Sequence, residues 1–326
     1  MRPGPTLFLT ALGALLAILS LCIGPNGFSP GIIGQALEGE PTARLILVEL
    51  RLPRMLLGVL VGGTLGLAGA TLQGLFRNPL AEPGVIGVSG CAALGAVVAF
   101  YSGFSASVPL GLPLGGVLGA LVAIALLLAL AARDERISTL LLAGVALSAL
   151  AGALTALALN LSPNPYAAIE IVFWLLGSLA DRSLDHVWLA LPFMLVGSAL
   201  MLSCARGLEA LTLGEDTASS LGLSVAGLRR RAVIGAALAV GAGVAVSGAI
   251  GFVGLIVPHL LRPFAGYRPG PLLVLSIPGG IALTLAADIA VRLIGGDTEL
   301  RLGVATALIG APFFLFLVLR IARRTA

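Results

Sequence analysis

The sequence predicts an all-α membrane protein of about ten transmembrane helices. Three observations carry that prediction. Apolar runs of bilayer-crossing length recur from one end of the chain to the other. Charged residues make up only 10% of the chain against 58% hydrophobic, where soluble domains carry roughly a quarter charged residues. The arginines stand at the ends of the apolar runs and favour one side of the bundle.

A crossing helix needs roughly 20 apolar residues, because each adds about 1.5 Å across a hydrocarbon core of about 30 Å. The candidates are 6–23, 55–75, 84–103, 109–132, 138–159, 187–204, 232–250, 252–264, 271–294 and 303–320. The first lacks a small-x-small cleavage site and is kept as a span. The eighth is short enough for a re-entrant segment to compete with it. Charge settles the count. With ten spans, one side collects Arg2, Arg77, Arg133, Arg136, Arg206, Arg229, Arg230, Arg231, Arg262, Arg268, Arg320, Arg323 and Arg324. The other receives Arg44, Arg51, Arg54, Arg182, Arg292 and Arg301. Thirteen against six is the direction of the positive-inside rule and puts both termini in the cytoplasm. Without the eighth span, Arg320, Arg323 and Arg324 would move outside.

The longest polar break, from Cys204 to Ala232, falls on the inner side. Thr212 stands three residues before Glu215, the spacing of a capping box. Asp216 adds negative charge to the same first turn, where the helix dipole favours it. Gly222 offers a left-handed stop, and Ser224 can cap a second helix. The pattern predicts two short helices and a turn, held outside the membrane. On the outer side, residues 24–54 carry Glu38, Glu40 and Glu49 with three arginines. Residues 160–186, through Pro163, Pro165 and an apolar Ile171–Leu176 stretch, predict a short helix at the outer surface. Within the spans, Gly62-x-x-x-Gly66, Gly115-x-x-x-Gly119 and Gly243-x-x-x-Ser247 predict close helix packing.

The chemistry of the chain is mostly one of exclusion. All 19 basic residues are arginine, so a phosphate-binding loop with its lysine is ruled out within this chain. Cys22, Cys91 and Cys204 are scattered in or beside apolar runs, and His186 and His259 are isolated, so no metal site, disulfide or cofactor is expected. No catalytic constellation is found, and the expectation is a transport subunit rather than an enzyme. Asp288, with Arg292 four residues on, predicts an i,i+4 pair near the outer end of its helix. Few titratable groups and a structured inner loop point to transport energised by another subunit. The alternative, an ion-coupled secondary transporter, calls for mid-span acids or histidines and paired broken helices.

A set of motifs occurs in fixed order. Arg51-Leu52-Pro53-Arg54 precedes Gly69-Ala70-Thr71-Leu72-Gln73-Gly74, Asn78-Pro79-Leu80-Ala81-Glu82-Pro83-Gly84 and Leu140-Leu141-Leu142-Ala143-Gly144-Val145. Then come Leu213-Gly214-Glu215 with Leu221-Gly222, the run Gly248 to His259, Ala286-Ala287-Asp288 and Ala307-Leu308-Ile309-Gly310-Ala311-Pro312-Phe313. Together they resemble the FecCD-type permeases of bacterial ABC importers for iron–siderophores, haem and vitamin B12, from about residue 44 to 320.

The resemblance implies a type II ABC importer permease, one transmembrane domain over residues 1–326, in the bacterial inner membrane. It implies a dimer, expected here to be a homodimer, with the substrate path on its two-fold axis. Two ATPase subunits and a periplasmic substrate-binding protein are the implied partners, and an iron chelate, haem or cobalamin the implied cargo, moved by alternating access. Carried over by position, the ATPase-coupling residues are Leu213, Gly214, Glu215, Ala218, Leu221 and Gly222, within coupling helices at about 206–228. Arg51, Arg54 and Arg292 match arginines that dock the binding protein. Ile137 and Ser138 match the cytoplasmic gate, although this stretch has fewer small hydroxyl residues than the vitamin B12 members of the family. Pro258 is expected to end or kink the eighth span, and His259 to be structural.

Overall fold

The computed structural model describes residues 3–24, 27–131, 136–162, 164–294 and 300–325. Pro163, Arg2 and Arg133, used in the sequence reading, lie outside the described residues. Helix α1 (Pro3–Cys22) leads into a small antiparallel pairing of Ile23–Gly24 with Gly27–Phe28. Helices α2 (Gly31–Leu37) and α3 (Pro41–Leu45) follow, and a π-helical turn (Ile46–Arg51) runs directly into α4 (Leu52–Leu75). A 3₁₀ turn (Pro83–Ile86) precedes α5 (Val88–Tyr101), a short α6 (Phe104–Ser107), α7 (Gly111–Ala131), α8 (Ile137–Asn160) and α9 (Pro165–Leu175). Then come α10 (Leu184–Ser203), α11 (Ala205–Leu211), α12 (Glu215–Ser220), α13 (Val225–Ser247), α14 (Val253–Leu261), α15 (Pro269–Ile294) and α16 (Leu302–Thr325).

Among the described residues, eight helical segments are long and apolar enough to cross a membrane. They fall at eight of the ten expected positions. The other two positions hold shorter helices. The 84–103 run yields α5, 14 residues and so about 21 Å long; the 252–264 run yields α14, nine residues and about 14 Å. Neither matches a full bilayer thickness alone. Both are shortened by a left-handed residue at the start, Gly87 (φ +80°) for α5 and Phe252 (φ +66°) for α14.

The two loops before these short helices meet beside α4. Pro83 and Leu65 both approach Gly254, and Gly69 faces the Gly254 carbonyl so closely that any side chain there would collide with backbone. Non-helical backbone at membrane depth survives only where protein groups replace water. That condition is met. The Glu82 carboxylate accepts the Phe252 N–H at 2.6 Å. The Gln73 side-chain amide donates to the Gly254 and Leu255 carbonyls, and the Ser178 N–H donates to the Ser247 carbonyl at 2.7 Å.

Helix α4 is the centre of the bundle, packed by α15, α13, α14 and α10. Two of the three small-residue motifs work as expected. Gly62 and Gly66 seat α4 against the backbone of Ser276 and Gly280 in α15, and Gly115 and Gly119 seat α7 against Cys91 and Gly95 in α5. The third does not, because Gly243 meets only the tips of Met194 and Val61. The close approach on α13 comes instead at Gly235, opposite Gly197 of α10. The periphery is oily: α8 turns Leu142, Val145, Leu150 and Leu157 outward, and α16 does the same with Leu308, Ile309 and Phe316. Helix α9 is the expected short surface helix, capped by Asn164 through the Tyr166 N–H.

Candidate functional site

At one end of the bundle the polar break folds as two short helices, α11 and α12, between α10 and α13. The local chemistry differs from the expected capping box. Thr212 Oγ1 donates to the Glu209 carbonyl at 2.6 Å, so it closes α11 rather than opening α12. Gly214, at φ +104°, occupies the N-cap of α12 and turns the chain there. Glu215 is thereby free to pair with Arg229 on α13, at 2.5 Å. The stop at Gly222 is as expected. Its φ is +83°, its N–H donates to the Ser219 carbonyl, and the Leu223 N–H donates to the Ala218 carbonyl, the double bond of a Schellman motif. Ser224 accepts the Gly227 N–H and caps a helix, but that helix is the long α13 itself rather than a separate short one.

The hairpin is anchored from below and open at its tip. Leu208, Leu211 and Ala218 are buried, while Leu213 and Leu221 are each 65% exposed at either end of α12. Glu209 pairs with Arg268 at 3.0 Å, tying α11 to the residue before α15. Nearby, Arg262 donates to Gln73 at 2.6 Å, so the same amide that holds α14 also holds the turn after it.

The candidate gate residues Ile137 and Ser138 begin α8, with Arg136 at the N-cap and no capping side chain. One turn on, Leu140 lines a cavity of about 320 Å³ that also includes Leu127, Ser224, Arg229 and Arg230. The start of α8 and the Glu215 partner Arg229 therefore border one space.

At the opposite end of the bundle, the three arginines singled out by position converge. Asp288, fully buried in α15, receives Arg54 Nε and Nη2 (3.0 and 2.8 Å) and Arg292 Nη2 (2.7 Å). The i,i+4 pair was legible in the sequence; the fork from Arg54 was not. Arg292 also donates to the Ser20 and Ile23 carbonyls and to Ser20 Oγ, and Arg51 donates to the Leu21 carbonyl and Ser29 Oγ. These carbonyls lie at the C-terminal end of α1, where helix bonding leaves acceptors free and the dipole favours cations. Arg292 is buried, whereas Arg51 and Arg54 keep part of their surface open.

His259 packs edge-on against Phe313 at 5.7 Å between ring centres, joining α14 to α16 as a structural contact. Among the described residues no group of three or more His, Cys, Asp or Glu side chains could hold a metal ion.

The fold is a multi-pass helical bundle with two shorter helices, α5 and α14, among its spans and an exposed hairpin at one end. The chain belongs to the FecCD transport family, whose model matches residues 12–320, and is an ABC importer permease. It is 41% identical to the vitamin B12 import system permease BtuC of Vibrio cholerae, over 94% of this chain and 90% of that protein. It is 40% identical to the ABC transporter permease YvrB of Bacillus subtilis, over 89% and 83%. Identity is 42% to the cobalamin import system permease BtuC of Halobacterium salinarum, over 85% and 74%. A solved inward-facing structure of a metal-chelate type ABC transporter superposes with a TM-score of 0.87 at 34% identity, covering 98% of this chain and all of that one.

Proposed function

We propose that this permease carries an iron chelate, haem or cobalamin from periplasm to cytoplasm across a bacterial inner membrane, by alternating access driven by ATP hydrolysis in two partner subunits. The α11–α12 hairpin supports the reading. Two exposed leucines, Leu213 and Leu221, flank a short helix held by a Schellman turn and an ion pair to α13. An exposed apolar pair on a rigid polar mount calls for a partner surface, and a rigid mount transmits a stroke that a loose loop would absorb. Leu213, Gly214, Glu215, Ala218, Leu221 and Gly222 are thus the proposed coupling residues, in a single permease domain. Both termini lie on this cytoplasmic side under the positive-inside rule.

At the outer end, Arg51 and Arg54 are proposed to meet carboxylates of a periplasmic binding protein through their open edges. Arg292 is buried and contributes by fixing Asp288. Ile137 and Ser138 are proposed as the gate because α8 begins beside the cavity that reaches Arg229. The functional unit is proposed to be a homodimer, with the oily faces of α8 and α16 available to a second copy.

The test is uptake into proteoliposomes holding the permease, its ATPase and its binding protein. Accumulation of radiolabelled cobalamin or a ferric chelate should require all three and ATP. Uptake that persists without the ATPase sinks the proposal in favour of a secondary transporter.

A further inference from the structure

The proposed outer end holds a second basic site, apart from the arginines around Asp288. The loop after α9 carries Arg182, and Arg301 immediately precedes α16. The two are brought together because the Gly303 N–H donates to the Gly177 carbonyl, stitching that loop to the start of α16. Arg301 lies over the Phe173 ring at 5.3 Å from its centre. Arg182 is half-buried, and its Nε is a buried donor with no hydrogen-bond partner among the described residues. Burial lowers the Arg182 pKa, the positive charge of Arg301 pushes the same way, and Asp181 opposes them. Two guanidiniums, one of them desolvated, thus share a corner with Asp181 among the described carboxylates. A partly buried cation of this kind is relieved by an incoming anion.

Beside this corner runs an apolar groove of about 510 Å³, lined by Leu175, Leu176, Ala249, Val304, Ala307 and Pro312. Its walls are small or aliphatic, and the loop that starts at Leu176 carries Arg182. We propose that Arg182, Arg301 and Phe173 form an anion-recognising rim above this groove and select an amphipathic anion as cargo. The apolar body lies in the groove, and a carboxylate, phosphate or phenolate meets the guanidiniums. A docking contact would use the exposed rim charges that tune encounter rates; Arg182 is recessed instead, as suits a small molecule. That the bound anion is cargo rests on the importer reading; the binding chemistry does not.

Haem and haem dimethyl ester test this, since they share the macrocycle and only haem has free carboxylates. Binding to the assembled permease–ATPase complex in nanodiscs is read by quenching of Trp174, next to Phe173, in a Trp188→Phe background. Haem should bind about tenfold more tightly than the ester, the scale of a charge-assisted hydrogen bond. Arg182→Gln or Arg301→Gln should abolish that preference, and Arg182→Lys should restore much of it. Equal quenching by ester and haem overturns the inference, as does unchanged haem binding in Arg182→Gln. So does a loss of affinity for unloaded binding protein in Arg182→Gln with haem binding intact, which reassigns the residue to docking. None of these readouts depends on ATP-driven uptake, so failure of the importer reading is seen separately.

Discussion

Arg54 Nη2 stands 2.8 Å from Asp288 Oδ1, closing a bridge between α4 and α15 across 234 positions of sequence. Arg292 reaches the other oxygen of the same carboxylate at 2.7 Å. One buried anion therefore holds two cations, and through Arg292 the end of α1. Breaking a buried pair by removing one partner typically costs about 3–5 kcal/mol, because the surviving charge is stranded. Asp288→Asn should lower stability by that order, seen as a fall in the thermal midpoint of the detergent-purified protein. An unchanged midpoint would show that water already reaches the cluster.

Gly222 is the left-handed stop that ends α12 in the proposed coupling hairpin. At φ +83° a β-branched residue is strained by about 1–3 kcal/mol. Gly222→Val should leave insertion intact and reduce stimulation of the ATPase by loaded binding protein. Glu215→Lys should have a similar effect by setting like charge against Arg229. Full stimulation in both variants would remove this hairpin from the coupling role.

Leu213 and Leu221 are expected to be anchors in a partner's pocket. Truncating a buried interface anchor commonly costs about 2 kcal/mol or more. Leu213→Ala with Leu221→Ala should therefore weaken co-purification of the ATPase at least tenfold without changing the monomer's melting. Retention at wild-type levels would argue that the leucines face lipid or solvent.

Glu82 and Phe252 offer a test of the buried corner. Glu82→Ala leaves the Phe252 N–H unpaired at membrane depth, which costs about 1–3 kcal/mol. Glu82→Gln keeps an acceptor oxygen and should cost much less. Thermal unfolding of both variants checks the order, and equal losses would mean that the charge rather than the hydrogen bond matters.

Gly69→Ala should be among the most damaging single changes in the chain. A methyl there meets the Gly254 backbone, which cannot rotate away as a side chain could. Overpacking of this kind typically costs about 1–3 kcal/mol or more. Gly243→Ala, on the same bundle but with room around it, is the matched control and should be nearly silent in expression and melting.

The positions of the long helices were legible because an apolar run records its own length. That the chain turns inside the membrane was not, since Gly248 to Leu255 is as apolar as a helix and its backbone groups at Phe252, Gly254 and Leu255 are satisfied by Glu82 and Gln73, far away in sequence. Gly222 and Ser224 could be read correctly because their partners lie within five residues. The Thr212–Glu215 spacing misled for the same reason it attracted: the motif ignores Gly214, whose backbone turns the chain between the two. Asp288 and Arg292 announced each other one turn apart, while Arg54 could be assigned to that carboxylate only in three dimensions.

Helix α15 has a fixed point at each end. Arg268, just before it, pairs with Glu209 of the hairpin, and Asp288 and Arg292 grip α4 and α1 near its far end. At 26 residues it is a strut of about 39 Å. Any free energy passed along it between the two faces is subject to reciprocity. If ATP in the partner subunits loosens the hold on the binding protein by some factor, the binding protein must loosen the hold on ATP by the same factor. Measuring either affinity with and without the other ligand therefore determines both.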